Sequence, residues 1–187
     1  DIGDDGWPDY TPGRLTIKGS GSLTAEAPSS GIRIQNGTLD VTDGTVNATA
    51  ADNGIYALGN TVQVSGGTLC ATATGEHSAG IEASHNGQVT VSSGKLTASG
   101  GSYGIVAGQL EMSGGTLNAS ANGTAAITGS SITVNGGVLN LEDNTAPDGI
   151  ISKDLNVTNG RMTAKGQTVS ANNIPVSGCV IEAEALS

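Results

Sequence analysis

Three side chains that could contact a ligand recur at a regular interval along the chain. Arg33, Tyr56 and Glu82 each follow an isoleucine that is itself preceded by glycine. Near-equal spacing predicts that they lie side by side on the outside of a repeating structure. An aromatic ring offers a platform for the face of a sugar, and flanking charges can orient hydroxyls or a uronate. The set therefore indicates a carbohydrate-binding patch, although an ordinary mixed surface would explain the same residues.

Further candidates for this patch are expected in the adjoining loops. They are Tyr103, His77 and His85. Of these, Tyr103 is added to Arg33, Tyr56 and Glu82 as the predicted binding set. The two histidines have no third partner at a metal-ligand spacing, so no metal site is predicted from them.

A second group of possible ligands lies at the start of the chain. Four carboxylates fall within the first nine residues: Asp1, Asp4, Asp5 and Asp9. Carboxylate oxygens are what calcium prefers, but the spacing does not match the EF-hand pattern, so a solvated linker or cap is the alternative. The sequence therefore predicts a linker or cap over residues 1–13 and a repeat domain over residues 14–187. No cofactor is predicted, and calcium stays possible.

The sequence does not place a set of catalytic side chains where the predicted fold would bring them together. Polysaccharide lyases and hydrolases need a carboxylate cluster, or an acid pair with a base nearby. The outward acids are scattered, with Asp40 and Glu111 on one expected row and Glu26 and Glu142 at opposite ends of another. The sequence therefore predicts that the chain is not an enzyme, and a polysaccharide lyase is only a third hypothesis.

The elements that position these residues repeat with a period of about 23 residues. A Gly-Ile step, with alanine for glycine in one case, recurs at Ile32, Ile55, Ile81, Ile105, Ile127 and Ile150. An independent apolar landmark recurs at Leu15, Leu39, Val62, Val89, Leu110, Ile132 and Leu155. Two landmarks that share one period are typical of a solenoid.

Within each period the apolar residues alternate with polar ones, as in Val89-Thr90-Val91. Alternation of this kind indicates strands with one buried face. Glycine pairs such as Gly66-Gly67 fit corners that need a positive φ or a close backbone approach. We predict an all-β fold, a single-stranded right-handed parallel β-helix of about seven coils with three short strands per coil.

Composition and charge narrow the classes of function. The formal net charge of -10 argues against nucleic-acid binding, which needs a basic surface. No apolar run reaches about 18 residues, so no membrane insertion is expected. The chain starts at Asp1 rather than Met, which suggests a removed leader or upstream region and fits an extracellular protein. Cys70 and Cys179 lie about five coils apart, so two free thiols are expected.

The repeat unit resembles that of a known group of proteins. The unit reads Gly-Ile … Leu/Val-x-Val-x-Gly-Gly-Thr-Leu-x-Ala and is clearest at Gly80-Ile81, Val62–Ala71 and Leu110–Ala119. It is similar to the repeats of secreted bacterial right-handed parallel β-helix proteins of the carbohydrate-binding-domain type, which have a pectate-lyase-like fold without catalysis. The resemblance spans Leu15 to Ala183. It implies a secreted or cell-surface location, polysaccharide binding without cleavage, and bound calcium, for which no acid row is evident here.

Two non-catalytic functions follow from these observations. The first is an extracellular module that binds a polysaccharide, or a glycan of a host or cell surface, along one face of the helix. The second is a structural stalk or adhesin segment within a longer surface protein with flanking domains. Outward rows of threonine, asparagine and serine fit the second function, because such ladders also serve solubility and hydrogen bonding alone.

Overall fold

The chain folds as a β-solenoid whose strands stack in parallel from coil to coil. The computed structural model describes residues 12–143, 146–165 and 168–184. Within these ranges there are 18 strands and no helix, arranged in two sheets over about seven turns. The predicted all-β parallel solenoid is confirmed.

The first sheet carries the Gly-Ile steps and has ten strands. Its main path runs β1-β4-β7-β9-β11-β13-β15-β17, and β3 pairs with β6, which pairs with β9. The strands are β1 (Gly13–Ile17), β3 (Ser30–Arg33), β4 (Gly37–Val41), β6 (Asn53–Tyr56), β7 (Thr61–Val64), β9 (Ala79–Val91), β11 (Tyr103–Met112), β13 (Ala125–Val134), β15 (Asp148–Val157) and β17 (Thr168–Asn173).

The second sheet has eight strands in the order β18-β16-β14-β12-β10-β8-β5-β2. The strands are β2 (Ser22–Ala27), β5 (Thr45–Ala50), β8 (Thr68–Ala73), β10 (Lys95–Gly100), β12 (Thr116–Ala121), β14 (Val138–Asp143), β16 (Gly160–Lys165) and β18 (Cys179–Glu184). Each coil therefore crosses from one sheet to the other and returns one step further along the solenoid axis.

The number of strands per coil changes along the chain. Three short strands per coil, as predicted, occur in the first coils, where β3 and β4, and then β6 and β7, are separate. In β9, β11, β13 and β15 the two strands of the first sheet join into one long strand, whereas in the last coil β17 is followed only by a bridge at Val176. Asn60 stabilises the corner between β6 and β7. Its Oδ1 accepts from Gly37 N at 2.7 Å, and its Nδ2 donates to the carbonyl of Leu58 at 2.7 Å.

The core consists of apolar rows that run along the solenoid axis. One row contains Val46, Leu69, Leu96, Leu117 and Leu139, which neighbour one another in register and are all 0% exposed. These positions alternate with outward polar ones, so each strand places every second side chain in the core. Small and medium aliphatic side chains suffice because each coil lies directly against the next.

Glycine is required where the chain turns into the second sheet. At Gly67 φ is +62°, and an added Cβ would lie 2.6 Å from the carbonyl oxygen of Gly44 in the preceding coil. Gly44, Gly94 and Gly115 share this positive φ and this close approach to a carbonyl oxygen. The corner therefore combines a left-handed backbone with a contact that excludes any side chain.

We expect Gly67→Ala to lower the free energy of unfolding by about 2 kcal/mol or more, because the substitution adds left-handed strain and a clash with backbone. The measurement is the shift of the urea unfolding midpoint. Gly21→Ala is the matched control, since nothing lies within 4 Å of a Cβ at Gly21. Equal midpoints for the two variants would contradict this account of the corner.

Candidate functional site

The predicted cation and aromatic residue meet on the outer face of the first sheet. Arg33 and Tyr56 are register partners on β3 and β6. The Cζ atom of Arg33 lies 5.2 Å from the centroid of the Tyr56 ring, within the range of a cation–π contact. Their two isoleucine neighbours point into the core, which directs both functional side chains outward. The contact covers one face of the ring and restricts its orientation.

A cleft opens beside this pair. It has a volume of about 260 Å³ and is lined by Arg33, Ile34, Gln35, Tyr56 and Leu58. A second cleft of about 510 Å³ shares Arg33, Ile34 and Gln35 with it and extends past Arg14 and Leu15. Together they form one groove, which we call the corner groove, along the corner between β3 and β4 and on to the residues after β6.

The two arginines of the corner groove differ in their partners. Arg14 Nη2 donates to Asp40 Oδ2 at 2.5 Å, and the Asp40 side chain is only 6% exposed. Asp40 also accepts from Ser65 Oγ at 3.3 Å. Arg33 is exposed, and no carboxylate of the described residues forms an ion pair with it. The charge of Arg14 is thus balanced within the protein, whereas that of Arg33 is available to a ligand.

Glu82 continues the row beyond Tyr56, its register partner. Ser84 Oγ donates to Glu82 Oε1 at 2.5 Å and lies 3.2 Å from His85 Nδ1. Ser84 and His85 belong to a bulge in β9, where His85 and Asn86 have φ of 55° and 66°. The amide of Gly59 donates to the carbonyl of Ser84 at 2.9 Å, so the bulge is tied to the chain just after Tyr56.

The bulge brings a hydroxyl and an imidazole close to the Glu82 carboxylate. In a Ser-His-Asp triad the histidine lies between the hydroxyl and the carboxylate. Here the serine lies in the middle and donates to the carboxylate, so the order of groups in a triad is not reproduced. The chain of hydrogen bonds is suited to accepting and donating bonds with ligand hydroxyls.

The fourth predicted residue, Tyr103, lies elsewhere. It begins β11 as the register partner of Ala79 and Ala125, three positions before Val106. Val106, two coils beyond Tyr56, is the member of β11 that continues the row of Glu82. The structure therefore brings Arg33, Tyr56 and Glu82 together and leaves Tyr103 at the opposite end of the Gly-Ile strand. His77 lies exposed in the loop before β9, and His85 lies in the bulge.

A family model described as "Carbohydrate-binding domain-containing protein" matches residues 9–184. The chain belongs to this family. No curated protein and no solved structure matches the chain. The family match covers both sheets and all residues of the corner groove.

Two parts of the candidate site were not identified from sequence. Arg14 was not singled out because its approach to the groove depends on the fold of the first coil. Ser84 was not identified because no sequence motif marks the bulge in which it lies. The bulge could have been found from the interval of 27 residues between the apolar landmarks Val62 and Val89, which is longer than the neighbouring intervals. Three extra residues fall between Ala83 and Gln88, which face Ala107 and Gln109 across the register shift.

The second sheet of the domain carries the predicted polar ladder. Its register aligns Thr24, Asn47, Cys70, Thr97, Asn118, Asn140 and Thr163 in one outward row. Asn140 Nδ2 donates to Asn118 Oδ1 at 2.8 Å, so the ladder bonds to itself. The acids are separated as expected, with Gln63 and Thr90 between Asp40 and Glu111 along their row.

Other predictions about the domain have different outcomes. Asp1, Asp4, Asp5 and Asp9 lie outside the described residues. Within residues 12–143, 146–165 and 168–184, no group of three His, Cys, Asp or Glu side chains could hold a metal ion. The same ranges contain no helix long and apolar enough to cross a membrane. Cys70 and Cys179 are free thiols, as predicted.

The ion pair of Arg14 supports the wall of the corner groove. We expect Arg14→Gln to lower the free energy of unfolding by about 1–3 kcal/mol, because it leaves the buried Asp40 carboxylate without its cation. Thermal and urea unfolding measure this. Arg161→Gln is the matched control, since its pair with Glu182, also at 2.5 Å, has side chains 54% and 44% exposed. For it we expect about 0–1 kcal/mol, and an equal loss in both variants would contradict the assigned role of burial.

Proposed function

We propose that the chain is a non-catalytic extracellular module that binds a polysaccharide in the corner groove. The observation that carries the proposal is the contact of Arg33 with Tyr56 at the opening of the groove. Membership of a carbohydrate-binding domain family supports it. Ligand sites commonly combine an apolar or aromatic surface with a few placed polar groups in clefts of about 300–1,000 Å³. The corner groove has both properties.

The geometry suggests how each residue would contribute. Arg33 covers one face of the Tyr56 ring, so a sugar would contact the remaining face or edge of the ring. The guanidinium would donate to sugar oxygens from the adjacent coil. Glu82, Ser84 and His85 would accept and donate bonds to hydroxyls on the far side. Because these contacts come from successive coils, the polymer would lie along the solenoid axis.

Charge favours an acidic polymer. A guanidinium that lacks a carboxylate partner among the described residues can bind a uronate carboxylate with two parallel hydrogen bonds. The net charge of the whole chain is -10, so such a polymer would be attracted locally rather than by the protein as a whole. The binding class proposed is therefore a uronate-containing polysaccharide of a plant, host or cell surface.

We expect Tyr56→Ala to weaken polysaccharide binding at least tenfold, because aromatic anchors contribute more than about 1.4 kcal/mol at binding sites. The measurement is affinity electrophoresis followed by calorimetry on polygalacturonate, alginate and neutral glucans. Tyr103→Ala is the matched control, with the same side chain removed from the opposite end of the strand.

Full binding by Tyr56→Ala would reject the corner groove as the site. An equal loss in Tyr103→Ala would extend the site toward that corner. A parallel arm with chelator tests calcium: we expect binding to persist, and its loss would point to a metal held outside the described residues. Assays for unsaturated product on the same polymers are expected to stay at background, and product formation would support the lyase hypothesis.

We expect Arg33→Gln to reduce binding to polygalacturonate at least tenfold while changing binding to neutral polymers less than threefold. The reason is that the amide keeps hydrogen-bonding capacity but loses the charge that binds a uronate. Lys153→Gln, on β15 far from the groove, removes one positive charge as a control for net charge. Equal loss on charged and neutral polymers would contradict the preference for acidic sugars.

A structural stalk or adhesin segment is the second candidate function. The observation in its favour is the ladder of Thr, Asn and Cys side chains on the second sheet, which offers no aromatic residue along its whole described length. If the wild-type chain bound no polymer in these experiments, this candidate would replace the first.

A further inference from the structure

The row of Arg33, Tyr56 and Glu82 carries two opposite charges with an aromatic ring between them. The three residues are register partners on β3, β6 and β9, so they occupy three successive coils. Since neighbouring coils lie about 4.8 Å apart, the backbones at Arg33 and Glu82 are separated by about 10 Å. The guanidinium of Arg33 lies over the Tyr56 ring, with Cζ 5.2 Å from the ring centroid. A ligand that follows the solenoid axis would therefore meet a cation, a ring and a carboxylate in turn.

Neither charge of this row is balanced by an ion pair. Arg14 and Asp40, on the adjacent strands β1 and β4, pair at 2.5 Å, whereas a whole coil separates Arg33 from Glu82. In the part of the chain that the structure describes, Glu82 forms no ion pair with a cation and Arg33 forms none with a carboxylate. Glu82 Oε1 accepts from a neutral donor, Ser84 Oγ, at 2.5 Å, and a carboxylate has further acceptor sites. Both charges are therefore available to a ligand.

Backbone pairing fixes where Glu82 lies relative to the corner groove. The amide of Ala57 donates to the carbonyl of Glu82 at 2.8 Å, and the amide of Gly59 donates to the carbonyl of Ser84 at 2.9 Å. Tyr56 and Leu58, which flank Ala57 in the chain, line the groove. Glu82, half-buried on the next coil, is thus held directly beyond the aromatic wall of the groove.

The two charges select different sugars. A guanidinium binds a uronate carboxylate with two parallel hydrogen bonds. A protein carboxylate accepts hydrogen bonds from sugar hydroxyls, but it repels a sugar carboxylate at the same place, and such repulsion is a source of specificity. In an extended polysaccharide each sugar advances by a distance close to one coil spacing, so Arg33 and Glu82 contact different sugars of one chain. An acidic sugar is therefore favoured at Arg33 and disfavoured at Glu82.

We infer that Glu82 determines specificity, and that the site takes a polyuronate whose carboxylates are interrupted, either by neutral sugars or by esterification. This inference rests on the proposed function and adds the charge pattern of the polymer. In an uninterrupted polyuronate, any placement that satisfies Arg33 also brings a carboxylate to Glu82. A fully neutral polymer avoids that repulsion but leaves Arg33 without its partner. A mixed polymer satisfies both residues.

The test is calorimetry of the full chain on a series of polygalacturonates that share one backbone and are methyl-esterified to increasing degrees. We expect the affinity of the wild type to be highest at intermediate esterification. Glu82→Gln is expected to bind the unesterified polymer at least about threefold more tightly than the wild type does, and to move the maximum to that polymer. The amide keeps an oxygen that can accept from Ser84 Oγ and loses only the charge. Arg33→Gln is expected to move the maximum toward the fully esterified polymer.

Glu142→Gln is the matched control. Glu142 is exposed on β14 in the second sheet, so its replacement removes one negative charge from the chain without changing the row. We expect this variant to keep the wild-type profile. All arms are run at one pH and at low ionic strength, because salt screens charges on the surface.

The outcomes separate this inference from the proposed function. If the wild type and Glu82→Gln both bind the unesterified polymer best and with equal affinity, Glu82 has no role in specificity, although the chain still binds an acidic polysaccharide. Equal strengthening by Glu142→Gln would also overturn the inference, since net charge rather than Glu82 would then be responsible. A wild type that binds no member of the series would overturn the proposed function together with this inference.

Discussion

The structure depends on one contact repeated along its axis, the parallel backbone pairing of each coil with the next. This pairing sets a fixed separation of about 4.8 Å between coils. At that separation equivalent residues of successive coils lie directly against one another, as Leu69 and Leu96 do in the core. The same constraint requires glycine at Gly67, and it places Arg33 beside Tyr56. Core, corner and candidate site are three results of a single spacing.

This dependence explains which features could be predicted from sequence. Periodicity of the apolar residues determines both strand position and register, so the outward row of Arg33, Tyr56 and Glu82 was predicted and is confirmed by pairing. A solenoid makes this possible because neighbours in space are separated by one period in sequence. Few other folds translate sequence intervals into contacts so directly.

Features that depend on corners were harder to predict. The position of Tyr103 follows from where the chain enters β11, and counting periods does not determine this. The groove itself exists because the passage from Ile34 to Asn36 departs from the strand, and alternation does not distinguish such a passage from a continuing strand. Likewise the change from separate strands beside Asn60 to the single long strands β9, β11, β13 and β15 leaves the apolar landmarks unchanged. Local loop geometry, rather than the pattern of the core, decides these points.

The bulge in β9 has a consequence for how such a domain can change. Three additional residues are accommodated between Ala83 and Gln88, while the pairing with β11 resumes at Gln109 and that with β7 at Thr61. An insertion at this point is therefore confined to one coil and projects from the surface beside Tyr56. Loops of other lengths and sequences could replace it without altering the stacked rows beneath. In this architecture the surface at a corner can diversify independently of the scaffold, much as antigen-binding loops vary on a constant framework.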